Sequence, residues 1–291
     1  MAKELIGIIG GTGLGDALAE HISEAELHNI DTPFGRPSAA ITVGKIGSRE
    51  IAFLSRHGEG HKLSPSEVPF AANIFAFKKL GVHTIISSGA VGSLRKEIAP
   101  GDLVIVDQFI DKTFKRTNTF FDGFGAVHCE MAKPVCGRIR EALVNAAKSI
   151  DVKTHPKGCY VCMEGPQFST RAESLVHRRW GGDLIGMTAM PEAKLAREAQ
   201  ICYALIALPS DYDCWRPQRK YIDKQTLLKE IIGNLQTASD NCLKLIKAVL
   251  QNNSPLVCED CSCRKSLELA LWTKQEQIDP VNKEKLKILF E

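Results

Sequence analysis

Two aspartates, Asp211 and Asp213, stand just past the apolar run Ile201 to Leu208. Carboxylates two residues apart project to the same side while the backbone stays extended. Two such acids in a water-poor place tend to share a proton, leaving one neutral acid and one anion. A loop carrying solvated carboxylates reads the same way, but the position directly after a buried strand favours chemistry. Other segments offer donors for an oxyanion. Gly10-Gly11-Thr12-Gly13 and Ser87-Ser88-Gly89-Ala90-Val91-Gly92-Ser93 each follow a strand-like run, where small residues let backbone amides approach an anion. Arg56-His57 adds a planar guanidinium fork and a ring donor. Each alone is equally well a plain turn or an exposed polar loop. Together, at successive strand ends, they fit the rule that open α/β sheets bind ligands beyond their carboxyl edge. The first is not a dinucleotide fingerprint, because the third glycine position falls on Asp16 or Leu18. Phe168 sits on a turn ahead of a helix start, where its face could stack on a planar ligand or serve as a core contact.

The elements that must position these residues alternate between strand and helix. Leu5 to Ile9 reads as a strand, and residues 39–45 and 49–54 as a pair around Ile46-Gly47-Ser48. A helix is expected from Pro69 to Leu80, closed by Gly81. His83 to Ser87 and Leu103 to Phe109 are short, β-branched and apolar, hence central strands. Pro134 opens a helix to about Lys148, and Tyr160 to Met163 ends another strand. Thr170 and Glu173 form a capping box, Pro191 begins a helix, and residues 223–251 carry apolar side chains at helical spacing. This alternation argues for one α/β layered domain, residues 1–251, with a mostly parallel sheet. Asn252-Asn253-Ser254-Pro255 is a hinge into a C-terminal helical extension, 252–291, packing on the same domain, with Asp279-Pro280 starting its last helix.

Composition narrows the partners. The 291 residues are 44% apolar and 24% charged, enough to bury a core without staples. Thirty-seven basic against 34 acidic residues leave a charge of only +3, no general reason to expect nucleic acid or an anionic membrane. No apolar run approaches the roughly 18 residues that cross a bilayer. Met1-Ala2-Lys3-Glu4 leads straight into a strand without a signal-peptide core, so a cytoplasmic location is expected. Of ten cysteines, Cys159, Cys162, Cys202 and Cys242 lie in apolar segments and read as small buried hydrophobes. Cys258, Cys261 and Cys263 cluster late in the chain. A fourth ligand at zinc spacing is missing nearby, so no metal site is expected, and their redox state stays open.

Gly10-Gly11-Thr12-Gly13, Asp31-Thr32-Pro33-Phe34-Gly35, Arg56-His57-Gly58, Gly92-Ser93-Leu94, Glu164-Gly165-Pro166-x-Phe168-Ser169, Met187-Thr188 and Asp211-Tyr212-Asp213-Cys214-Trp215 follow one another in a familiar order. Over roughly residues 5 to 250 the chain resembles the S-methyl-5′-thioadenosine phosphorylases of the purine nucleoside phosphorylase superfamily. The resemblance implies a single-domain α/β fold of that superfamily, with a mostly parallel mixed sheet flanked by helices. It implies a homotrimer, with a hexamer also open, and no metal or organic cofactor, inorganic phosphate being a co-substrate. The implied reaction converts methylthioadenosine and phosphate into adenine and 5-methylthioribose 1-phosphate; a 6-oxopurine nucleoside phosphorylase is the alternative. Motif by motif, phosphate ligands fall on Thr12, Arg56, His57, the amide of Ala90 and Thr188. Met187 faces the ribose, Phe168 and Ser169 lie at the base, and His128 matches a histidine near the sugar's 5′ side. Asp211 and Asp213 read the purine edge. Where this family commonly has a hydroxyl residue just before Ala90, the chain has Gly89, with Ser88 able to compensate. Leu227 suits an apolar 5′ pocket, but Lys224 falls where an apolar residue is expected, leaving adenosine open as a substrate. Cys261-x-Cys263 is similar to the disulfide-bearing tails of some archaeal relatives.

Overall fold

Alternate residues of one buried strand supply two hydrophobic cores, and the site is built where that strand ends. The computed structural model describes residues 4–11, 13–217, 223–252 and 256–291. Its strands are β1 (Ile6–Gly10), β2 (Ser23–His28), β3 (Ile41–Ile46), β4 (Arg49–Ser55), β5 (Thr84–Ser93), β6 (Leu103–Ile105), β7 (Gln108–Asp111), β8 (Thr154–His155), β9 (Cys159–Cys162), β10 (Leu184–Gly186) and β11 (Cys202–Asp211). The helices are α1 (Gly15–Ala19), α2 (Phe70–Lys79), α3 (Gly137–Ala147), α4 (Arg171–Arg179), α5 (Glu192–Glu198), α6 (Lys224–Gln251) and α7 (Pro280–Leu286).

Strand β5 is the hub of an 11-stranded mixed sheet. It runs parallel to β1, with Ile9 opposite Ser87, and parallel to β11, with Ile206 opposite Ser88 and Leu208 opposite Ala90. Its far end pairs antiparallel with β10 at Gly92 and Ser93. Along β11, Tyr203, Leu205 and Ala207 enter one core while Cys202, Ala204, Ile206 and Leu208 enter the other. Burial on both faces explains why this strand reads as an unbroken apolar run. Helices α2 and α5 contribute to the first core, and α1, α3 and α6 to the second.

Two stretches differ from their sequence expectation. Ser88 to Ser93 is not a loop past the strand end but the second half of β5. Its small residues have little strand preference of their own, and pairing with β11 and β10 decides their conformation. Residues 103–109 form two strands rather than one, because β6 pairs with β11 while β7 pairs with β9. The expected capping box is present: Thr170 Oγ1 accepts from Glu173 N at 3.2 Å, and Thr170 N donates to Glu173 Oε2 at 2.7 Å. The C-terminal segment lies against both cores, with Leu256 and Cys263 in one and Leu267, Ala270, Ile278, Leu286 and Leu289 in the other. Among the described residues no helix is long and apolar enough to cross a membrane.

Candidate active site

Arg56, directly after β4, is fully buried, which an arginine tolerates only with its charge matched. Glu192, the first residue of α5, supplies the match: Arg56 Nε donates to Oε2 at 2.7 Å and Nη2 to Oε1 at 3.1 Å. Nη2 also donates to Ser87 Oγ at 2.6 Å and Nη1 to the Ser88 carbonyl oxygen at 2.8 Å. Ser87 and Tyr203 in turn donate to Glu192 Oε1, at 2.6 and 2.8 Å. Guanidinium has five N–H donors, and these bonds occupy four. The fifth is on Nη1, which borders the glycines: a Cβ at Gly11 would sit 2.8 Å from Nη1 and 2.8 Å from the Ser88 oxygen. Only a residue without a side chain fits there. A Cβ at Gly89 would meet Thr188 Oγ1 at 3.4 Å, ordinary contact, so the missing hydroxyl residue leaves room beside Thr188. Gly11, Ser88, Gly89, Thr188 and the Arg56 head thus converge. Thr12 lies outside the described residues, and Ala90 follows within β5 opposite Leu208.

His57 behaves differently from its sequence expectation. Its Nδ1 lies 2.8 Å from the Leu63 carbonyl oxygen, and burial, helped by the Arg56 charge, pushes its pKa down to about 4. The ring is therefore neutral with Nδ1–H donating, and Nε2 is an acceptor rather than a further donor. It can meet an anion only through a proton that the anion carries.

The acid pair gathers at the other end of β5. A Cβ at Gly92 would lie 3.1 Å from Asp213 Cβ and 3.3 Å from Asp211 Oδ1, so both side chains close around this glycine. Asp211 ends β11 and its Oδ2 accepts from Ser210 Oγ at 2.8 Å. Burial holds the Asp211 carboxyl above the usual range; the Asp213 charge adds to this, and the Ser210 hydroxyl works against it. Asp213 Oδ2 is buried with no hydrogen-bond partner among the described residues. An acceptor buried in that way costs free energy unless a donor arrives. Trp215 Nε1 donates to the Ser93 carbonyl at 2.8 Å and the Arg178 guanidinium covers its ring at 3.8 Å, pinning the turn after Asp213.

A Cβ at Gly165 would strike Met187 Sδ at 2.6 Å, so Met187 lies across that glycine. Ser169 Oγ approaches Met163 Sδ at 3.6 Å, and its carbonyl accepts from Cys214 Sγ at 3.2 Å, tying its turn to the acid loop. Phe168 is 87% exposed, which excludes the core-contact reading and leaves an aromatic face open. Leu227 is half-buried and Lys224 exposed at the start of α6, where Asp223 caps the amides of Gln225 and Thr226.

His128 is not in this neighbourhood. Its amide donates to the Ala270 carbonyl at 2.9 Å and its ring meets Trp272 edge-on at 5.4 Å. It lines a separate cavity of about 490 Å³ with Asp122, Lys194 and Glu198. Burial pushes the Glu198 carboxyl up to about 7 although its Oε2 accepts from Phe120 N.

Sequence reading missed the residues that hold this arrangement. Glu192 is 136 positions from Arg56, and only an acid opening a helix between apolar segments hinted at it. A second buried pair, Arg116 and Glu164, was also unforeseen: Arg116 Nε donates to Glu164 Oε1 at 3.1 Å. Arg116 Nη1 donates to the carbonyls of Met187 and Met190, each at 2.6 Å, fixing the segment that carries Met187 and Thr188. Burial would raise the Glu164 carboxyl, but Ser66, the amides of Phe114 and Lys115, and Arg116 hold it down to about 2.

Beside strand β5 of a mixed α/β sheet, a donor cluster at Gly89 and an acid pair at Gly92 give the chain the layout of a nucleoside-phosphorylase type of protein. The sequence profile of the phosphorylase superfamily matches residues 5–251. The S-methyl-5′-thioadenosine phosphorylase of Gloeobacter violaceus is 43% identical over 285 residues, 97% of this chain and 93% of that one. A methylthioadenosine phosphorylase from an Antarctic soil metagenomic library superposes with a TM-score of 0.88 at 42% identity, over 99% of this chain and 100% of that one. A point mutant of the adenosine/methylthioadenosine phosphorylase of Schistosoma mansoni, in complex with methylthioadenosine, gives a TM-score of 0.78 at 36% identity, over 85% and 91%. The chain belongs to the phosphorylase superfamily and, within it, to the S-methyl-5′-thioadenosine phosphorylase family.

Two stability measurements follow from this geometry. Glu192→Ala leaves the buried Arg56 charge uncompensated and is expected to destabilise the fold by about 3–5 kcal/mol in denaturant titration. For Glu198, the folded value of about 7 exceeds its ordinary 4.5, so the folded chain binds the proton more tightly and stability falls as pH rises across that interval. Glu198→Gln keeps an acceptor for Phe120 and removes this loss. Its Tm should therefore rise relative to the parent on going from about pH 5 to about pH 7.5.

Proposed function

We propose that this chain is an enzyme that phosphorolyses S-methyl-5′-thioadenosine to adenine and 5-methylthioribose 1-phosphate. The observation that carries the reading is the placement of both half-sites along β5. Gly89 borders the Arg56–Thr188 donor cluster, Gly92 is enclosed by Asp211 and Asp213, and the three steps between them span about 10 Å of extended strand. A nucleoside laid along β5 would bring its sugar over the cradle and its base to the acids.

Cleavage of a purine glycosidic bond develops an oxocarbenium-like sugar while negative charge flows into the leaving base. Asp211, whose carboxyl burial pushes toward the protonated form, donates to N7 as that charge grows. Asp213, whose buried Oδ2 has no hydrogen-bond partner among the described residues, accepts from the 6-amino group. Phosphate, bound by the remaining Nη1–H of Arg56, the Thr188 hydroxyl and the amide of Ala90, stands under C1′ and stabilises the cation before bonding to it. His57 Nε2 takes up a hydrogen bond from a phosphate hydroxyl. Met187 lies along the ribose, Phe168 and Ser169 border the base, and Leu227 faces the 5′ group. A 6-oxopurine would set its carbonyl oxygen against the Asp213 carboxylate, so inosine is disfavoured. The position of His128 away from the acids within one chain supports an assembly, the homotrimer, in which a second copy brings it to the 5′ side.

Adenine release from methylthioadenosine should depend strictly on added phosphate; release without it would contradict the reading. Asp211→Asn should lower kcat by about 10²–10⁴-fold, the usual worth of a general acid. Asp213→Asn, which can donate where Asp213 accepts, should raise the inosine-to-methylthioadenosine ratio of kcat/KM, and an unchanged ratio would contradict the base-edge assignment.

A further inference from the structure

Four cysteines far apart in the chain meet at one point. The sulfurs of Cys136, Cys202, Cys261 and Cys263 all lie within 4.8 Å of one another, and Cys136 and Cys261 are 3.7 Å apart. Each comes from a different place or turn: Cys136 caps the start of α3, Cys202 begins β11, and Cys261 and Cys263 flank and enter a short 3₁₀ turn of the C-terminal segment. Zinc held tetrahedrally by thiolates at about 2.3 Å sets its sulfurs roughly 3.8 Å apart, the separation that these four residues approach. Cys136, Cys202 and Cys263 are buried and Cys261 half-buried, the closed surroundings of a structural rather than a catalytic ion. Arg138 Nη2 lies 3.6 Å from Cys202 Sγ, so a cation and an N–H donor stand beside the ligands. Cys258, the third cysteine of the tail, is not in the group. The tail thus supplies two ligands, and the other two come from Cys136 and Cys202, which sequence spacing cannot reveal.

We propose that Cys136, Cys202, Cys261 and Cys263 form a tetrathiolate site for one zinc ion that clasps the C-terminal segment to α3 and β11. On binding, the four thiols lose their protons to solvent and the four sulfurs bond to the metal, with no change of oxidation state. The clasp anchors the segment whose Ala270 carbonyl accepts from His128 N and whose Trp272 N donates to the Ala126 carbonyl.

The test uses the full chain made in zinc-supplemented medium and desalted without reductant. Elemental analysis should give one zinc per chain, and denaturation with chelator should free all ten thiols. Cys258→Ser should retain the zinc, whereas Cys202→Ser and Cys263→Ser should lose most of it. Should those two variants fold poorly, the unaltered chain loaded with cobalt still decides, through tetrahedral d–d bands and intense thiolate-to-cobalt charge transfer. Chelation of the native protein should speed proteolysis after residue 256. The proposal is overturned by a chain free of metal in which fewer than ten thiols titrate, by cobalt spectra without thiolate bands, or by unchanged zinc in Cys202→Ser.

Discussion

The buried charge of Arg56 is the constraint on which the site depends. A guanidinium without solvent must be neutralised and hydrogen-bonded, and Glu192, Ser87 and the Ser88 carbonyl together do so. Satisfying it in this way joins the end of β4, the middle of β5 and the start of α5. The head group loses its freedom to rotate, and the one N–H without a partner among the described residues is on Nη1, which borders Gly11 and Gly89. In the proposed reaction an anion arriving there would meet a donor already in position, with little ordering left to do.

Strand β5 carries that order to the second half of the site. Because β11 runs parallel beside it in fixed register, the exit of β11 places Asp211 and then Asp213 around Gly92 and no further along. The two carboxyls differ in surroundings: one is supported by Ser210 and pushed toward its neutral form, while the other has a buried Oδ2 with no partner among the described residues. Environments that separate two acids in this way are how a protein assigns donor and acceptor roles to residues of one type.

Much of the fold was legible because its signals are local. The capping box at Thr170, the unbroken apolar run of β11 and the helical spacing of α6 each depend on residues within a few turns or strand positions. What escaped the sequence depends on distance or tautomer. The split of residues 103–109 into β6 and β7 is decided by which partner strand is near, not by the residues themselves. Glu192 pairs with Arg56 across 136 positions, and Cys136 reaches Cys261 across 125. His57 was recognised as a polar residue at the right place, but the Leu63 carbonyl sets which ring nitrogen holds the proton.

The most direct measurement is a crystal structure with inorganic phosphate and a non-reactive adenine nucleoside bound together. The account predicts phosphate oxygens within hydrogen-bond distance of Arg56 Nη1 and Thr188 Oγ1, and purine N7 within that distance of Asp211. An anion bound elsewhere, or a purine whose N7 edge faces away from the two aspartates, would contradict it.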